Sequence, residues 1–389
     1  MEGPAPVSTP DLLYSDVESD LRATLRNVLS DHCAPSSLVA RADGDEPYDM
    51  SLWRTLSAEL GLAGLPVPER LGGQGVSSRE TALVLEELGR SVAPVPFLGS
   101  AVLTTSVLLR ADTAAEHVAA LLRRLATGEA TGALAVPLST APEAAFPTTV
   151  RAVAGPDGVV LDGTITTVAD ASVADVLVVP AVGPDGQGLY EVDTGHSGVD
   201  ITEVVSFDLT RRVSDVTIRQ APARPLAEGQ EAVTALRQGL LMAAGLLASE
   251  QVGVTQWCLD TTVAYVQERH QFGRPVGSFQ ALKHRLADVW LELVAARAAA
   301  RYAADVLAGP DPFGSDSDVE VAVAVAQSYC ATVAVHAAEE TIQLHGGIGM
   351  TWEHPAHLYL KRAKADQLAL GTPGRHRARL AEVVDLPVS

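Results

Sequence analysis

The sequence predicts an α+β multidomain fold in which an N-terminal helical domain, a middle antiparallel β domain and a C-terminal four-helix bundle follow one another. Three observations predict it: helical periodicity at both ends of the chain, short β-branched runs between them, and a composition that is 47% hydrophobic but only 4% aromatic. Ala, Leu and Val supply most of the apolar content, which favours helices packed on helices. The predicted domains span residues 1–130, 131–226 and 227–389.

Helical periodicity defines the N-terminal part of the chain. Apolar residues recur at helical spacing in three stretches: Leu12, Leu13, Val17 and Leu21; Leu52, Leu56 and Leu60; and the run ETALVLEELGR at residues 80–90. The loop PVPERLGGQGVSSRE precedes the last of these stretches. Its Pro and Gly residues predict irregular structure, and Ser77 or Ser78 is the predicted N-cap of the helix that follows.

Short β-branched runs fill the middle of the chain. They are GVVLDGTITTV, ADVLVVPAV, GLYEVDT and SDVTIRQ, at residues 158–168, 174–182, 188–194 and 214–220. Turn sequences such as Pro156-Asp157-Gly158 separate them. We therefore predict an antiparallel barrel or sandwich of about a hundred residues.

Long apolar helices return after the sheet. They are predicted at residues 232–267, 279–308 and 319–345, with a last one through residues 357–370. Lys361, Arg362 and Lys364 form a small basic cluster on the last helix, which we expect to be a solvated helix end. The polar stretch ERHQFGRPVGSFQALKH interrupts the first two helices, because its Gly and Pro residues disfavour a continuous helix.

Charge and cysteine usage exclude several classes of function. The chain has 28 Lys and Arg against 48 Asp and Glu, a net charge of −20, which disfavours binding to nucleic acid or to an anionic membrane surface. Cys33, Cys258 and Cys330 lie far apart and match no disulfide or metal-site spacing. The N-terminal sequence lacks a signal-peptide pattern, and we expect a cytoplasmic protein without metal and without membrane insertion.

Three long strings carry a family resemblance. They are GLAGLPVPERLGGQGVSSRETALVLEELGRSVAPVP, YVQERHQFGRPVGSFQALKHRLADV and QLHGGIGMTWEHPAHLYLKRAK, at residues 61–96, 265–289 and 343–364. Together with the order helices, sheet, helices, they resemble the acyl-CoA dehydrogenase family over nearly the whole chain. The resemblance implies that family's fold, an FAD cofactor lying between subunits, and oxidation of the Cα–Cβ bond of an acyl-CoA thioester.

The resemblance assigns cofactor contacts to Arg269, Phe272, Gln280, Gln343, Gly346, Gly347 and Thr372. Arg269 matches an arginine that contacts the FAD pyrophosphate, a role that suits the planar guanidinium fork. The paired glycines match a loop in which missing side chains let backbone N–H groups approach the cofactor. Each residue also has a structural interpretation: Arg269 as a charge at a helix C-terminus, Phe272 as a core residue, and Gln343 as a helix-end cap.

The family's catalytic base is missing from both positions where the resemblance places it. Most members use a glutamate directly before a Gly-Thr pair to remove the α-proton of the thioester, but here Leu370 precedes Gly371 and Thr372. Other members carry the base on the first long C-terminal helix, about seven turns before the arginine, and that position is Ala243. Glu250, about two turns further on, is a weak candidate for a relocated base, and a structural ion pair is its alternative role.

Positions that contact the flavin ring in the family are also replaced. Where the family has a Thr-Glu-Pro string, this chain has Ala135, Val136 and Pro137. A second family string, with a lysine, an aromatic residue and a flavin-bonding threonine, appears as GTITTVADA, in which Ile165, Thr167 and Ala169 fill those places. The resemblance therefore implies a depleted ring site in this chain.

The losses affect the chain's own flavin ring and substrate, whereas residues that reach a neighbour's flavin are kept. This pattern resembles the partner subunits of bacterial heteromeric acyl-CoA dehydrogenases, which implies a homologous acyl-CoA dehydrogenase subunit as partner in a heterodimer or heterotetramer. Two alternatives stay open. One is a self-associating flavoprotein whose base is Glu250, Glu87 or Asp366, and the other is a non-catalytic scaffold without flavin.

Overall fold

The computed structural model describes residues 12–155, 158–315 and 317–386, and within them helices, a sheet and further helices follow in the predicted order. The predicted turn residues Pro156 and Asp157 and the extreme N-terminus lie outside the described residues. Helices dominate both ends of the chain, and the strands occupy Gly132 to Glu228. The domain limits placed at residues 130 and 226 stay predictions.

Among the described residues, the N-terminal part contains six α-helices: α1 (Asp16–His32), α2 (Pro35–Ala42), α3 (Met50–Arg54), α4 (Ser78–Arg90), α5 (Thr105–Leu108) and α6 (Glu116–Ala126). Two π-helical segments, Thr55–Glu59 and Phe97–Thr104, continue α3 and precede α5. Ser77 caps α4, as predicted, since its hydroxyl accepts the Arg79 N–H. The prediction for the first apolar face was wrong at Leu13 and Val17, although Leu21 packs against the core. Leu13 and Val17 are 76% and 70% exposed, because Glu18, Leu25 and Leu29 form the buried face of α1.

The middle part is a seven-stranded sheet that closes on itself. Its strands are β1 (Gly132–Leu134), β2 (Val150–Gly155), β3 (Gly158–Ala169), β4 (Val176–Gly183), β5 (Gly186–Asp193), β6 (Val199–Glu203) and β7 (Val213–Glu228). β5 pairs with both β7 and β4, which completes a ring through β2 and β3. Most pairs are antiparallel as predicted, but β1 runs parallel to β4, so the sheet is mixed.

The C-terminal part contains α7 (Gly229–Glu268), α8 (Gln280–Leu307), α9 (Val319–His345), α10 (Ala356–Leu368) and α11 (Pro373–Val383). α11 was not predicted. α7 and α9 are long and apolar enough to cross a membrane, but 78% and 67% of their most apolar windows are buried inside the fold. They are therefore explained as core helices of the bundle.

Two glycines let α7 pack closely against α4. A Cβ atom on Gly253 would lie 1.9 Å from the Glu86 carbonyl oxygen, and one on Gly89 would lie 2.2 Å from the Glu250 carbonyl oxygen. Neither position accepts a side chain without separating the helices. This contact fixes the middle of α7, including Glu250, against the N-terminal helices.

Candidate functional site

The polar interruption between α7 and α8 is a small hairpin. β8 (His270–Gln271) and β9 (Arg274–Pro275) pair around a turn formed by Phe272 and Gly273. Both turn residues have positive φ, 54° and 77°, as two-residue hairpin turns require. The expected break in the helix is therefore confirmed. We call residues 269–279 the clamp hairpin.

Phe272 projects from the tip of the clamp hairpin into solvent. Its side chain is 89% exposed, which rules out the core interpretation. Within the described part of the chain, its ring contacts only Phe279, edge-on at a centroid distance of 6.1 Å. A positive φ at a residue with a side chain costs roughly 1–2 kcal/mol, and burial within this chain does not offset that cost.

Arg269 stands at the junction of α7 and the clamp hairpin with a free guanidinium. Its backbone N–H donates to the Tyr265 carbonyl at 2.9 Å, which makes it the C-cap residue of α7. Its side chain is exposed and has no ion-pair or hydrogen-bond partner among the described residues. Gln343, one turn before the end of α9, is likewise exposed, so both side chains are available to a molecule outside the chain.

A glycine loop, Gly346–Met350, follows α9. Gly346 has φ of 61°, which explains the glycine there by backbone geometry. Gly347 is different, because its φ lies outside the left-handed region and a Cβ atom built on it would meet nothing within 4 Å. The fold of this chain therefore gives no reason for glycine at position 347.

The structure brings the clamp hairpin and the glycine loop together and leaves Thr372 apart. Tyr265, one turn before Arg269, stacks on His345, the last residue of α9, at a ring distance of 4.4 Å. Gln280 is exposed in the first turn of α8, directly after the hairpin. Thr372 instead caps α11 by accepting the Arg375 N–H at 3.3 Å, and it makes no described contact with the clamp hairpin.

The free donors fit an anionic dinucleotide such as FAD. A guanidinium without a partner suits a pyrophosphate, and an open glycine loop lets backbone N–H groups approach phosphate oxygens. Arg269, Gln343 and the glycine loop are the residues that would hold such a group. The rings of Phe272 and Phe279 add an apolar surface beside them.

The position of the missing base is part of the hydrophobic core. Leu370 is fully buried, has φ of 54°, and donates its N–H to the Leu138 carbonyl at 2.8 Å. Ala243 is also fully buried and belongs to the same apolar cluster as Leu370 and Val136. Both family positions for a base therefore lie among packed side chains that cannot take a proton.

The ring-contact positions of the middle domain are equally apolar. Ala135 and Val136 are 1% and 3% exposed, and Ile165 and Ala169 are both 4% exposed. Thr167 has φ of 53° and donates its backbone N–H to Asp215 at 2.9 Å. Four of these positions thus contribute to core packing and offer no side-chain hydrogen bond to a ligand.

Glu250, the weak candidate for a base, lies in a buried ionic cluster. The cluster consists of Asp208, Arg211, Glu250, Arg362 and Asp366, each at most 6% exposed. Arg211 and Arg362 both contact the Glu250 carboxylate at 2.6 Å. Arg211 also contacts Asp366 at 2.6 Å, and Arg362 contacts Asp208 at 2.7 Å.

The charges in this cluster balance when Asp366 carries a proton. Burial alone would raise the pKa of Glu250, but Arg211 and Arg362 lower it overall. Burial and then the charge of Glu250 raise the pKa of Asp366 well above its ordinary value. Among the described residues Asp366 Oδ2 has no hydrogen-bond partner, and a neutral carboxyl tolerates this better than an ionised one. Glu250 is therefore a structural carboxylate held by two guanidinium groups.

The other carboxylates proposed as relocated bases are engaged in the same way. Glu87 is 1% exposed and accepts ion pairs from Arg22 and Arg26 at 2.9 and 2.8 Å. Asp366 belongs to the buried ionic cluster. Neither carboxylate is free to accept a proton from a substrate in this arrangement.

A groove open to solvent lies near Ala243, one of the two buried base positions. It runs between the N-terminal half of α7, residues 140–147, the start of α9 and α11, and it contains cavities of about 270 and 370 Å³. Two carboxylates line it. Arg375 holds Glu143 at 2.5 Å, and Arg237 and Arg379 hold Glu320.

The structural ion pair predicted as the alternative role of Glu250 is confirmed, but sequence reasoning missed the rest of the buried ionic cluster. The expectation that Arg362 is part of a solvated helix end was wrong, since its side chain is 2% exposed. The spacing of Arg362 and Asp366, four residues apart on one helix, was the available signal. Arg211 and Asp208 lie between β6 and β7, about 40 and 150 positions from their partners, a distance in sequence that no local pattern bridges.

Comparisons with known proteins agree with this architecture. The family model described as Acyl-CoA dehydrogenase, N-terminal domain, matches residues 15–129, and the one described as Acyl-CoA dehydrogenase, C-terminal domain, matches residues 233–384. The chain is 36% identical to the acyl-CoA dehydrogenase IpdE2 of Mycobacterium tuberculosis over 368 residues, which cover 94% of this chain and 97% of the relative. It is 30% identical to the acyl-CoA dehydrogenase FadE27 of the same organism, over 97% of this chain and 100% of the relative.

Two solved structures with the same fold are similar in sequence as well. The Tcur3481-Tcur3483 steroid ACAD is 30% identical, with a TM-score of 0.81 over 95% of this chain and 98% of that one. The ChsE4-ChsE5 complex of Mycobacterium tuberculosis is 27% identical, with a TM-score of 0.83 over 97% of this chain and 100% of that one. Both likenesses extend over all three parts of the fold.

Proposed function

Because the chain belongs to the acyl-CoA dehydrogenase family, whose members are FAD-dependent oxidoreductases acting on acyl-CoA, we propose that it is the base-lacking subunit of a heteromeric acyl-CoA dehydrogenase. In this proposal a homologous partner subunit carries the catalytic carboxylate and binds the flavin ring. This chain completes the FAD site across the interface. The complex then introduces a double bond between Cα and Cβ of an acyl-CoA thioester.

A contrast in burial carries the proposal. The two positions at which the family places its base, Leu370 and Ala243, are 0% exposed and packed in the core. Arg269, Gln280 and Gln343, which match contacts to a flavin, are all exposed. A chain that served its own flavin would need its own base position accessible, whereas a chain that serves a neighbour needs its outward residues free.

The clamp hairpin and the glycine loop support a ligand from outside the chain. Phe272 combines a positive φ with 89% exposure, and strained residues persist where a functional contact repays the strain. Gly347 has open space where a side chain would stand. A dinucleotide held jointly with a second subunit accounts for both features, since neither is explained by packing within this chain.

The relatives support a homologous partner. ChsE4-ChsE5 is a complex of two proteins, and the Tcur3481-Tcur3483 steroid ACAD is likewise heteromeric. Because the latter is a steroid ACAD, a bulky acyl-CoA is the first substrate to test with this chain and its partner. We propose the cytoplasm as the site of action.

Purification of the chain with and without its partner tests the proposal. The chain alone is expected to be colourless and inactive toward acyl-CoA thioesters. Co-expression with a base-bearing homologue encoded beside it is expected to yield a complex with a flavin absorption band and dehydrogenase activity. Activity of the flavin-loaded chain alone would favour a relocated base and contradict the proposal.

A second outcome distinguishes the proposal from the alternative of a non-catalytic scaffold without flavin. If the chain forms a complex with that homologue and the complex stays colourless after incubation with FAD, the flavin role is wrong. Glu250→Gln in the active complex addresses the relocated base directly. We expect this variant to change stability far more than the pH dependence of kcat, because Glu250 holds two arginines in the core.

A further inference from the structure

Three aromatic rings form a column between the clamp hairpin and the glycine loop. The rings of Tyr265 and His345 are nearly parallel, 23° apart, with centroids 4.4 Å apart. The ring of His354 extends the column at 4.5 Å from His345, tilted by 48° to it. Each ring belongs to a different segment: the last turn of α7, the end of α9, and the turn before α10.

The column joins the two segments that carry the predicted cofactor contacts. Tyr265 accepts the Arg269 N–H through its carbonyl at 2.9 Å, so its position sets where the chain leaves α7 and enters the clamp hairpin. His345 directly precedes Gly346 and is 3% exposed, so its position sets the start of the glycine loop. Movement of the His345 ring would therefore shift both segments relative to each other.

The hydrogen bonds of the column require a neutral His354, whereas His345 makes its bond in either protonation state. His345 Nδ1 lies 2.7 Å from the Thr341 carbonyl, which can only accept, so this nitrogen carries the proton. His354 Nδ1 accepts the Ala356 N–H at 3.3 Å, so this nitrogen is unprotonated. A second proton on His354 would replace that acceptor with a donor and break the bond.

Among the described residues, no carboxylate forms an ion pair or hydrogen bond with His345 or His354. His357 faces His354 from α10, and Lys361 lies beside His357. Tyr265 and the Thr341 carbonyl face His345, and Asp43 is bound to the Trp352 indole. Burial and the neighbouring histidines lower the pKa of His354, and burial lowers the pKa of His345. Protonation would thus place positive charges side by side in a partly buried site.

We propose that Tyr265, His345 and His354 form a positioning column that holds the clamp hairpin and the glycine loop in register, and that protonation of His354 releases them. His345 is a positioning residue, because it acts through the backbone of Gly346 and makes no contact with the reacting atoms. The column deepens the proposed function: it makes the interface FAD site dependent on pH.

Hydrogen–deuterium exchange on the chain alone tests the column without any flavin. His345→Ala removes the central ring, and we expect amide protection to fall together in residues 269–279 and 346–354 at neutral pH. His345→Phe keeps the stack, so it should restore protection. His354→Phe keeps a ring that cannot be protonated, so its protection should no longer fall in acid. A thermal melt of each variant confirms that the fold is intact.

Two exchange results would overturn the column. One is loss of protection confined to residues 346–354 in His345→Ala, which indicates a purely local role. The other is a His345→Phe variant that behaves like His345→Ala, because stacking would then have no part in the effect. Equal acid sensitivity of wild type and His354→Phe would overturn the protonation step.

Flavin release from the co-purified complex supplies the second readout. An aromatic stack is worth about 0.5–1.5 kcal/mol, so His345→Ala should weaken FAD binding by about 2- to 12-fold, and His345→Phe by less. Coupled exchange with unchanged flavin release would contradict the link to the cofactor. A wild-type complex without flavin would instead contradict the proposed function, and the exchange result would still decide the column.

Discussion

Leu370 combines a strained backbone with a buried side chain. Its φ of 54° costs roughly 1–2 kcal/mol, and complete burial of its leucine side chain contributes about 1.5–3 kcal/mol. The two terms are of similar size, so the turn keeps its shape without a catalytic group. Gly371 continues the turn with φ of 103°.

Leu370→Glu tests whether the family's base position is part of the hydrophobic core in this chain. A carboxylate without a partner in this cluster should lower the free energy of unfolding by about 3–5 kcal/mol, and it should not create dehydrogenase activity. Denaturant unfolding and an acyl-CoA assay of the complex measure the two effects. Leu370→Met is the control, with an expected cost below about 1.5 kcal/mol. Turnover by the glutamate variant would show that an accessible acyl site survives.

Asp366 predicts that stability decreases as the pH rises above the ordinary pKa of an aspartate. Its pKa in the folded chain is raised well above the ordinary value, whereas in the unfolded chain it is ordinary. Its contribution is therefore fully present below the unfolded pKa and is lost as pH rises through the folded pKa. Asp366→Asn cannot ionise, so thermal midpoints of this variant should depend less on pH than those of the wild type.

Asp288→Asn provides the matched control for this pH series. Asp288 is exposed on α8, so its substitution removes an acidic group without touching the buried ionic cluster. We expect its pH profile to follow the wild type. Parallel profiles for Asp366→Asn and wild type would contradict a neutral Asp366.

At the scale of single elements, a substitution in the glycine loop should change cofactor binding without lowering the stability of the chain. Gly347→Ala should fold normally and should be neutral or more stable by up to about 1 kcal/mol, because a Cβ atom there meets nothing within 4 Å of this chain. The same methyl group should obstruct a phosphate or a partner backbone that approaches the loop. We therefore expect weaker FAD retention by the complex at unchanged melting temperature.

Gly346→Ala is the informative contrast to Gly347→Ala. Gly346 has a positive φ, so alanine there strains the backbone and should lower stability as well as cofactor retention. A Gly347→Ala complex that keeps FAD as firmly as the wild type would argue against contact at this loop.

Arg269 in the clamp hairpin leads to a prediction about FAD binding by the complex. Arg269→Ala removes one charge-assisted contact, worth about 1.5–3 kcal/mol, and should weaken FAD binding by the complex by about 10- to 150-fold. Arg219→Ala, at an exposed arginine on β7, controls for the loss of one positive charge. Equal flavin affinity in the two variants would exclude the clamp.

Elements with strong local signals could be predicted from the sequence, and others could not. The bounds of α9 were predicted to the residue because an apolar run ends at paired glycines. α11 was missed although Thr372 and Pro373 supply an N-cap and a first-turn proline. β1 was also missed, because its three residues, all buried, are too few for a periodic pattern.

At the scale of the whole molecule, buried charges connect all three parts of the fold. Arg211 follows β6, Glu250 lies on α7, and Arg362 and Asp366 lie on α10. Asp170 extends the connection to the N-terminal helices, where Tyr48 donates to it at 2.8 Å. Such a network depends on tertiary contacts between distant residues, so local patterns did not predict it, whereas the cofactor contacts assigned to the clamp hairpin stay a prediction that rests on contiguous motifs.

The central claim is that this chain completes a flavin site whose ring lies in a homologous partner. Since the ring positions and the base positions of this chain are filled by core residues, each pair of subunits should hold one flavin. The most direct test is the ratio of FAD to polypeptide in the purified, active complex. We predict one FAD per pair of chains, and one FAD per chain would contradict the account.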